Sequence, residues 1–139
     1  GGSLTMPEAS NKEIVMVAGG IGITPFKCML DHAAATDDRR PITLLHSNKN
    51  FNNAAFYHEL KKIDAEKDNI RVIFVMTRQE DWPGPKGRIN SDFLKQTLPS
   101  PEKLHYMVAG PPNFVNGIGT ALEEIGATDT NFEKFFGAS

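Results

Sequence analysis

Ile14-Val15-Met16-Val17-Ala18-Gly19-Gly20-Ile21-Gly22-Ile23-Thr24-Pro25-Phe26 is the stretch whose reading decides the fold. Five apolar residues, three of them β-branched, run straight into two glycines, as a strand buried on both faces does when it enters a tight turn. Pro25 suits the first turn of a helix, where its fixed φ is already helical and a missing N–H costs no hydrogen bond. Phe26, Met29, Leu30 and Ala33 then recur at helical spacing until Asp37-Asp38 breaks the pattern. The stretch therefore reads as one strand-turn-helix unit, with a glycine turn at the strand's carboxyl end.

Working outward, the same unit repeats in type but not in sequence. Ile42-Thr43-Leu44-Leu45-His46 is a second strand, followed by a polar loop through Asn53 and a helix face marked by Ala55-Phe56, Leu60 and Ile63. Ile70 to Met76 is a third strand. A loop holding Trp82, Pro83, Gly84, Pro85 and Gly87 leads from it to a short helix around Phe93-Leu94 and Leu98. Leu104 to Val108 is a fourth strand, ending at Gly110-Pro111-Pro112. Phe114, Val115, Ile118, Leu122 and Ile125 form the next helix stripe, closed by Gly126. Phe132, Phe135 and Phe136 suggest a short fifth strand. Alternating strands and helices imply a doubly wound, Rossmann-like α/β domain with a parallel sheet, because parallel neighbours need right-handed crossovers. With strand order 3-2-1-4-5, ligands sit beyond the carboxyl ends of strands one and four, and both ends carry glycine turns.

Composition sets the outer limits. The 139 residues, 40% hydrophobic, suffice for one domain with its own core. Fifteen basic and seventeen acidic side chains give a net charge of −2, so no nucleic-acid partner is expected. Cys28 has no disulfide partner, reads as a buried structural thiol, and suits a reducing compartment: cytoplasm, or the cytoplasmic face of a membrane-linked parent protein. His32, His46, His58 and His105 lie in separate elements without metal-ligand spacing and read as surface or packing residues. No apolar run approaches the roughly 20 residues that span a bilayer, so direct membrane insertion is not expected.

The glycine turn suits an anion, because backbone free of side chains lets a pyrophosphate approach the amides at a helix N-terminus, and Thr24 could add a hydroxyl. Pro25 stands where the usual dinucleotide fingerprint has its third glycine. On spacing alone, a plain tight turn and a phosphate site fit equally.

Three motifs in order carry a more specific resemblance. Gly19 to Phe26 resembles the Gly-Gly-x-Gly-x-Thr-Pro signature of the ferredoxin-NADP reductase superfamily. Val108-Ala109-Gly110-Pro111-Pro112 is similar to its Cys/Ala-Gly-Pro-Pro turn, and Glu133-x-Phe135-x-Gly137 to its Glu-x-Phe-x-Gly-Tyr ending. The resemblance implies a nicotinamide-dinucleotide domain, residues 13–139, preceded in 1–12 by the end of a flavin domain and a linker. It implies NAD(P)H as cofactor and FAD or FMN in a separate flavin-binding domain. The downstream acceptor would be a ferredoxin, flavodoxin, haem or iron-sulfur protein, or a ferric chelate. A non-catalytic nucleotide-sensing or protein-interaction module on the same fold is the alternative, and a flavin barrel encoded upstream would separate the two.

By the same resemblance Gly20, Gly22 and Thr24 hold the pyrophosphate, Gly110 and Pro111 border the nicotinamide, and Ile23, Pro25, Ala109 and Pro112 belong to the same cofactor-binding turns. No side chain acts as acid or base, since hydride passes between two cofactors and the protein supplies proximity and orientation. Ala109 stands where many members have a cysteine, which removes a thiol role there. Phe135 either covers the flavin or packs on the sheet edge, and Ala138 replaces the usual terminal tyrosine. Ser47 and Asn48 flank the adenosine ribose. Thr77-Arg78 resembles a pair that grips the 2′-phosphate of NADP, which, with no carboxylate in His46-Ser47-Asn48-Lys49, favours NADP over NAD slightly. Arg88 and Trp82 are expected to be structural. Gly22→Val is expected to abolish dinucleotide binding and leave the fold largely intact.

Overall fold

The computed structural model describes residues 4–7 and 12–136. Five strands form one parallel sheet: β1 (Ile14–Gly19), β2 (Ile42–Asn48), β3 (Ile70–Met76), β4 (His105–Gly110) and β5 (Thr130–Lys134). Their order is β3-β2-β1-β4-β5, the order expected for a doubly wound fold. All four neighbouring pairs are parallel, with Ala18 level with His46 and Ala109, and His46 level with Phe74.

Helices cover both faces. α1 (Ile23–Ala35) and α2 (Tyr57–Glu66) bury Phe26, Leu30, Ala33, Leu60 and Ile63 against Met16, Leu44 and Val72. α3 (Ser91–Thr97) and α4 (Pro112–Glu124) bury Leu94, Val115, Ile118 and Leu122 against Val15, Val17, Leu45 and Val108. Each of the larger of these side chains (Val, Leu, Ile, Phe, Met) stabilises the fold by roughly 1.5–3 kcal/mol before entropy is counted. The two-sided burial explains why β1, β2 and β4 are wholly buried rather than alternating. Among the described residues no helix is long and apolar enough to cross a membrane.

Three expectations change. α2 starts at Tyr57, because Phe56 adopts a left-handed conformation (φ 61°) that ends the loop, and Ala55 and Phe56 are exposed rather than on the buried face. Of the aromatic cluster proposed for a fifth strand, β5 itself contains only Phe132, which is exposed, as is Phe136; Phe135 alone packs against the core. Cys28 is exposed on α1 rather than buried: it falls between Phe26 and Leu30 on the helix surface that faces away from the sheet.

Candidate functional site

The sheet reverses its order between β1 and β4, and a groove runs along the carboxyl edge there. One cavity, about 590 Å³, is walled by Gly19, Gly20, Ile21, Asn48, Lys49 and Pro111, among others. A second, about 430 Å³, lies between the loop after β3 and α4, with Arg88, Asn90, Asn113 and Glu124 in its wall. Ser47, Thr77 and Phe114 border both cavities, so the two form one continuous surface across the ends of β1, β2 and β3.

At the β1 end the turn behind the wall is backbone packed on backbone. A Cβ on Gly22 would stand 2.1 Å from the Ala109 carbonyl oxygen, far inside contact distance. Glycine is therefore required at 22 by the closeness of the turn to β4, and the expectation that Gly22→Val spares the fold is corrected. Gly19 and Gly110 are crowded instead by a side chain, the Phe114 ring, with Cβ positions 2.5 and 2.9 Å from it. Gly20 differs: its φ is +53°, and a Cβ there would meet nothing within 4 Å. Conformation, not crowding, selects glycine at that position.

The turn feeds directly into α1. Ile23 is its first residue; its N–H donates to the carbonyls of Gly20 and Ile21, and its side chain lies in the core. Thr24 is exposed and Pro25 half-buried in the first turn, which carries no acidic residue to repel an anion. The Gly20 carbonyl has a second partner, His46 Nε2, at 3.2 Å. His46 is fully buried at the end of β2, its ring 5.5 Å from Phe74. Burial pushes its pKa down from 6.5 to about 4, only partly offset by the bond to Gly20, so the ring is neutral at pH 7.

At the β2–β3 end the wall is side chains. Asn48 is 5% exposed, and neither its Oδ1 nor its Nδ2 has a hydrogen-bond partner within the described protein. A buried amide with both atoms unsatisfied costs free energy that a polar ligand would recover. Ser47 is buried beside it, and the Thr77 hydroxyl leans 3.4 Å from the Asn48 carbonyl. Among the described residues, Lys49 is the one charged residue walling the larger cavity. Arg78 is exposed, and its N–H donates to the Lys49 carbonyl at 2.8 Å; its side chain walls neither cavity. Arg88, expected to be structural, is the arginine that does.

At the β4 end, Pro111 precedes α4, Pro112 is its first residue, and Ala109 is buried. The Gly110 carbonyl accepts from the Phe135 N–H at 2.9 Å, which holds the chain after β5 against this turn. Phe135 is half-buried and packs against the core, as Leu4 and Met6 also do, so packing accounts for part of its surface. Gly137 and Ala138 lie outside the described residues. Trp82 anchors its loop as expected: its Nε1–H donates to the Phe74 carbonyl at 3.2 Å, and its ring stacks 6.2 Å from Phe51. No group of histidine, cysteine or carboxylate side chains that could hold a metal occurs among the described residues.

The groove brings together the glycine turn after β1, Pro111, Ser47, Asn48 and Thr77, all singled out by the sequence. His46 as a partner of the turn and Arg88 as a wall residue were not singled out. A histidine inside an otherwise apolar strand, one residue before the polar Ser47, was the available signal for the first; nothing in the spacing marked the second.

A parallel doubly wound sheet, a glycine turn entering a helix at the switch point and a groove with unpaired polar groups define a nucleotide-binding α/β domain. The chain belongs to the oxidoreductase NAD-binding domain family, whose model matches residues 16–119. It is 33% identical to NADH-cytochrome b5 reductase 1 of Emericella nidulans, over 84% of this chain and 40% of that protein. It is 28% identical to the flavohemoprotein of Bacillus subtilis, over 91% of this chain and 33% of that one. The crystal structure of flavohemoglobin from Malassezia yamatoensis with bound FAD and heme superposes with a TM-score of 0.81 and 25% identity, covering 93% of this chain and 33% of that one. The chain thus spans between a third and two-fifths of the length of these relatives.

Proposed function

We propose that this chain is the dinucleotide lobe of a flavin-dependent reductase, binding NAD(P)H so that its nicotinamide is presented for hydride transfer to FAD or FMN held in a separate flavin-binding domain. The observation that carries this reading is the groove at the switch point, where, among the described residues, the buried Asn48 amide has no protein partner and Lys49 supplies the only charge in the larger cavity. That donor set fits an anionic, hydrogen-bonding ligand with an extended shape. The pyrophosphate lies over Gly20, Ile21 and the start of α1, where backbone amides and the helix dipole favour negative charge. The adenosine lies toward Ser47, Asn48, Thr77 and Arg88, and the nicotinamide toward Gly110 and Pro111.

No residue of this lobe transfers a proton in the reaction. Its contribution is to bind, orient and exclude alternatives; Gly110 and Pro111 would hold the nicotinamide end, and the dinucleotide would supply the hydride. When bound, the flavin supplies the conversion of a two-electron hydride into single electrons. Relatives named as a cytochrome b5 reductase and a flavohemoprotein favour a haem protein as the acceptor. On this reading residues 1–12 are the end of the flavin domain and the linker, and 13–139 the dinucleotide domain. Residues 4–7 of that lead lie on this domain: the Leu4 N–H donates to Glu133 Oε2 at 3.0 Å, and Leu4 and Met6 join Phe135 on the core.

Calorimetric titration of the chain with NADH, NADPH and ADP-ribose tests the reading. Binding of all three, with ADP-ribose retaining most of the affinity, is the expected result. No heat or chemical-shift change with any of them at millimolar concentration would overturn it.

A further inference from the structure

We propose that His46 is a positioning residue of the groove: by donating its Nε2–H to the Gly20 carbonyl, it sets the Gly20–Ile21 peptide so that the Ile21 N–H faces a bound phosphate. This rests on the dinucleotide reading above and names a residue that holds that site in shape.

The geometry has three parts. First, Gly20 has a left-handed φ of +53° and no neighbour within 4 Å of where a Cβ would be, so crowding does not fix its conformation. Something else must hold its peptide. Second, its carbonyl oxygen is the meeting point of two donors, the Ile23 N–H from α1 and the His46 ring from β2 at 3.2 Å. His46 is 0% exposed, so this carbonyl points into the protein. Third, all the described peptides are trans. In a trans peptide the N–H of the next residue points opposite to the carbonyl. With the Gly20 oxygen held inward, the Ile21 N–H is turned outward, on the side where Gly19, Gly20 and Ile21 wall the larger cavity.

The ring chemistry agrees. A carbonyl oxygen only accepts, so Nε2 must carry the proton and the neutral ring must keep its lone pair on Nδ1. Nδ1 is buried without a partner, which a lone pair tolerates better than an N–H would. Ala18 and Phe74 flank His46 across the sheet, and no charged group contributes to the perturbation of the ring. The ring is thus a neutral donor, reaching from β2 to a turn that follows β1.

The test uses the wild-type chain and two variants. Long-range proton–nitrogen correlation on the ¹⁵N-labelled wild type at pH 7 reads the tautomer directly; a single Nε2–H form is expected, and an Nδ1–H form overturns the proposal whether or not any variant folds. His46→Leu removes the donor and is expected to weaken ADP-ribose binding by roughly five- to thirty-fold, the scale of one lost hydrogen bond, while adenosine binding stays within about twofold. His46→Gln keeps an N–H donor at similar reach and is expected to bind ADP-ribose within about threefold of wild type. A merely structural role would weaken adenosine and ADP-ribose alike, and that result overturns the proposal. Wild-type protein that binds no ADP-ribose defeats the dinucleotide reading itself. Intact wild-type binding that His46→Leu leaves within twofold defeats only the role of His46.

Discussion

The two ends of the groove are made of different material. At the β1–β4 end the groove is walled by the Gly19-Gly20-Ile21 turn and Pro111, and behind that turn Gly22 packs so closely on Ala109 that a methyl group there would overlap a carbonyl oxygen. At the β2–β3 end the wall is made of Ser47, Asn48, Thr77 and Arg88, whose side chains carry the hydrogen-bonding capacity. On the proposed reading, the glycine-turn end meets what every dinucleotide shares, the pyrophosphate, and changes to it act first on folding. On the same reading, the side-chain end meets what differs between dinucleotides, the ribose substituent, and changes to it act first on selectivity. The comparison predicts opposite signatures for substitutions only tens of residues apart.

The largest effect belongs to Gly22→Ala. Its new methyl would meet backbone atoms of Ala109 and Gly110 at 2.1 to 2.8 Å, and neither strand end can withdraw without breaking β1–β4 pairing. A loss of at least about 3 kcal/mol is expected, at the severe end of overpacking, read as a fall in the urea midpoint. Gly20→Ala makes the contrast. Its methyl meets nothing, so only the left-handed backbone is penalised, by about 1 kcal/mol. Equal losses at the two positions would break the distinction between a glycine required by crowding and one required by conformation.

Between these in size stands the response to acid, which tests the joint between the two ends. His46 has a folded pKa of about 4 against 6.5 when unfolded, so the unfolded chain binds more protons between those values. Its contribution is fully present above pH 6.5 and is lost as the pH falls toward 4, on the order of 3 kcal/mol in all. Asp38 and Asp129 are held below 3.8, chiefly by hydrogen bonds from Arg40 and Lys12, so their protonation adds loss only at lower pH. Urea midpoints measured from pH 7 to 4.5 should fall in the wild type and flatten in His46→Gln. A flat wild-type profile would show that the ring is not held neutral by burial.

How much of this was legible in the sequence follows the same division. Main-chain features announce themselves, because only glycine and proline permit them: Gly19-Gly20 and Gly110-Pro111-Pro112 marked both turns, and the strand and helix periods marked the alternation of elements, while the sheet order was an expectation for a doubly wound fold. Why each glycine is there was not legible. Gly20 and Gly22 look alike in a string, and only the packing of the turn on Ala109 separates them. Side-chain features depend on contacts distant in sequence. His46 meets Gly20 across 26 residues. Arg88 shares a cavity with Glu124 only because the loop after β3 folds over α4. Cys28 and Phe56 were misread for a local reason: one position of helical phase, or one left-handed residue at the start of α2, moves a side chain from core to solvent.

The smallest effect on stability, and the sharpest on selectivity, is expected for Arg88→Ala. Arg88 is exposed, and a surface substitution of this kind costs within about 0.5 kcal/mol. Ser47 and Thr77 share its cavity, and Glu124 in the same wall is the one group there that would oppose a phosphate. If this end reads the ribose, losing the guanidinium should weaken NADPH by about tenfold, the scale of a charge-assisted hydrogen bond, and NADH by about twofold or less. Arg78→Ala is the matched control, since its side chain walls neither cavity, and it should leave the ratio of the two affinities unchanged. The opposite pattern, selectivity lost with Arg78 and kept without Arg88, would move the ribose to the outer side of the Thr77-Arg78 pair and make the second cavity irrelevant to dinucleotide choice.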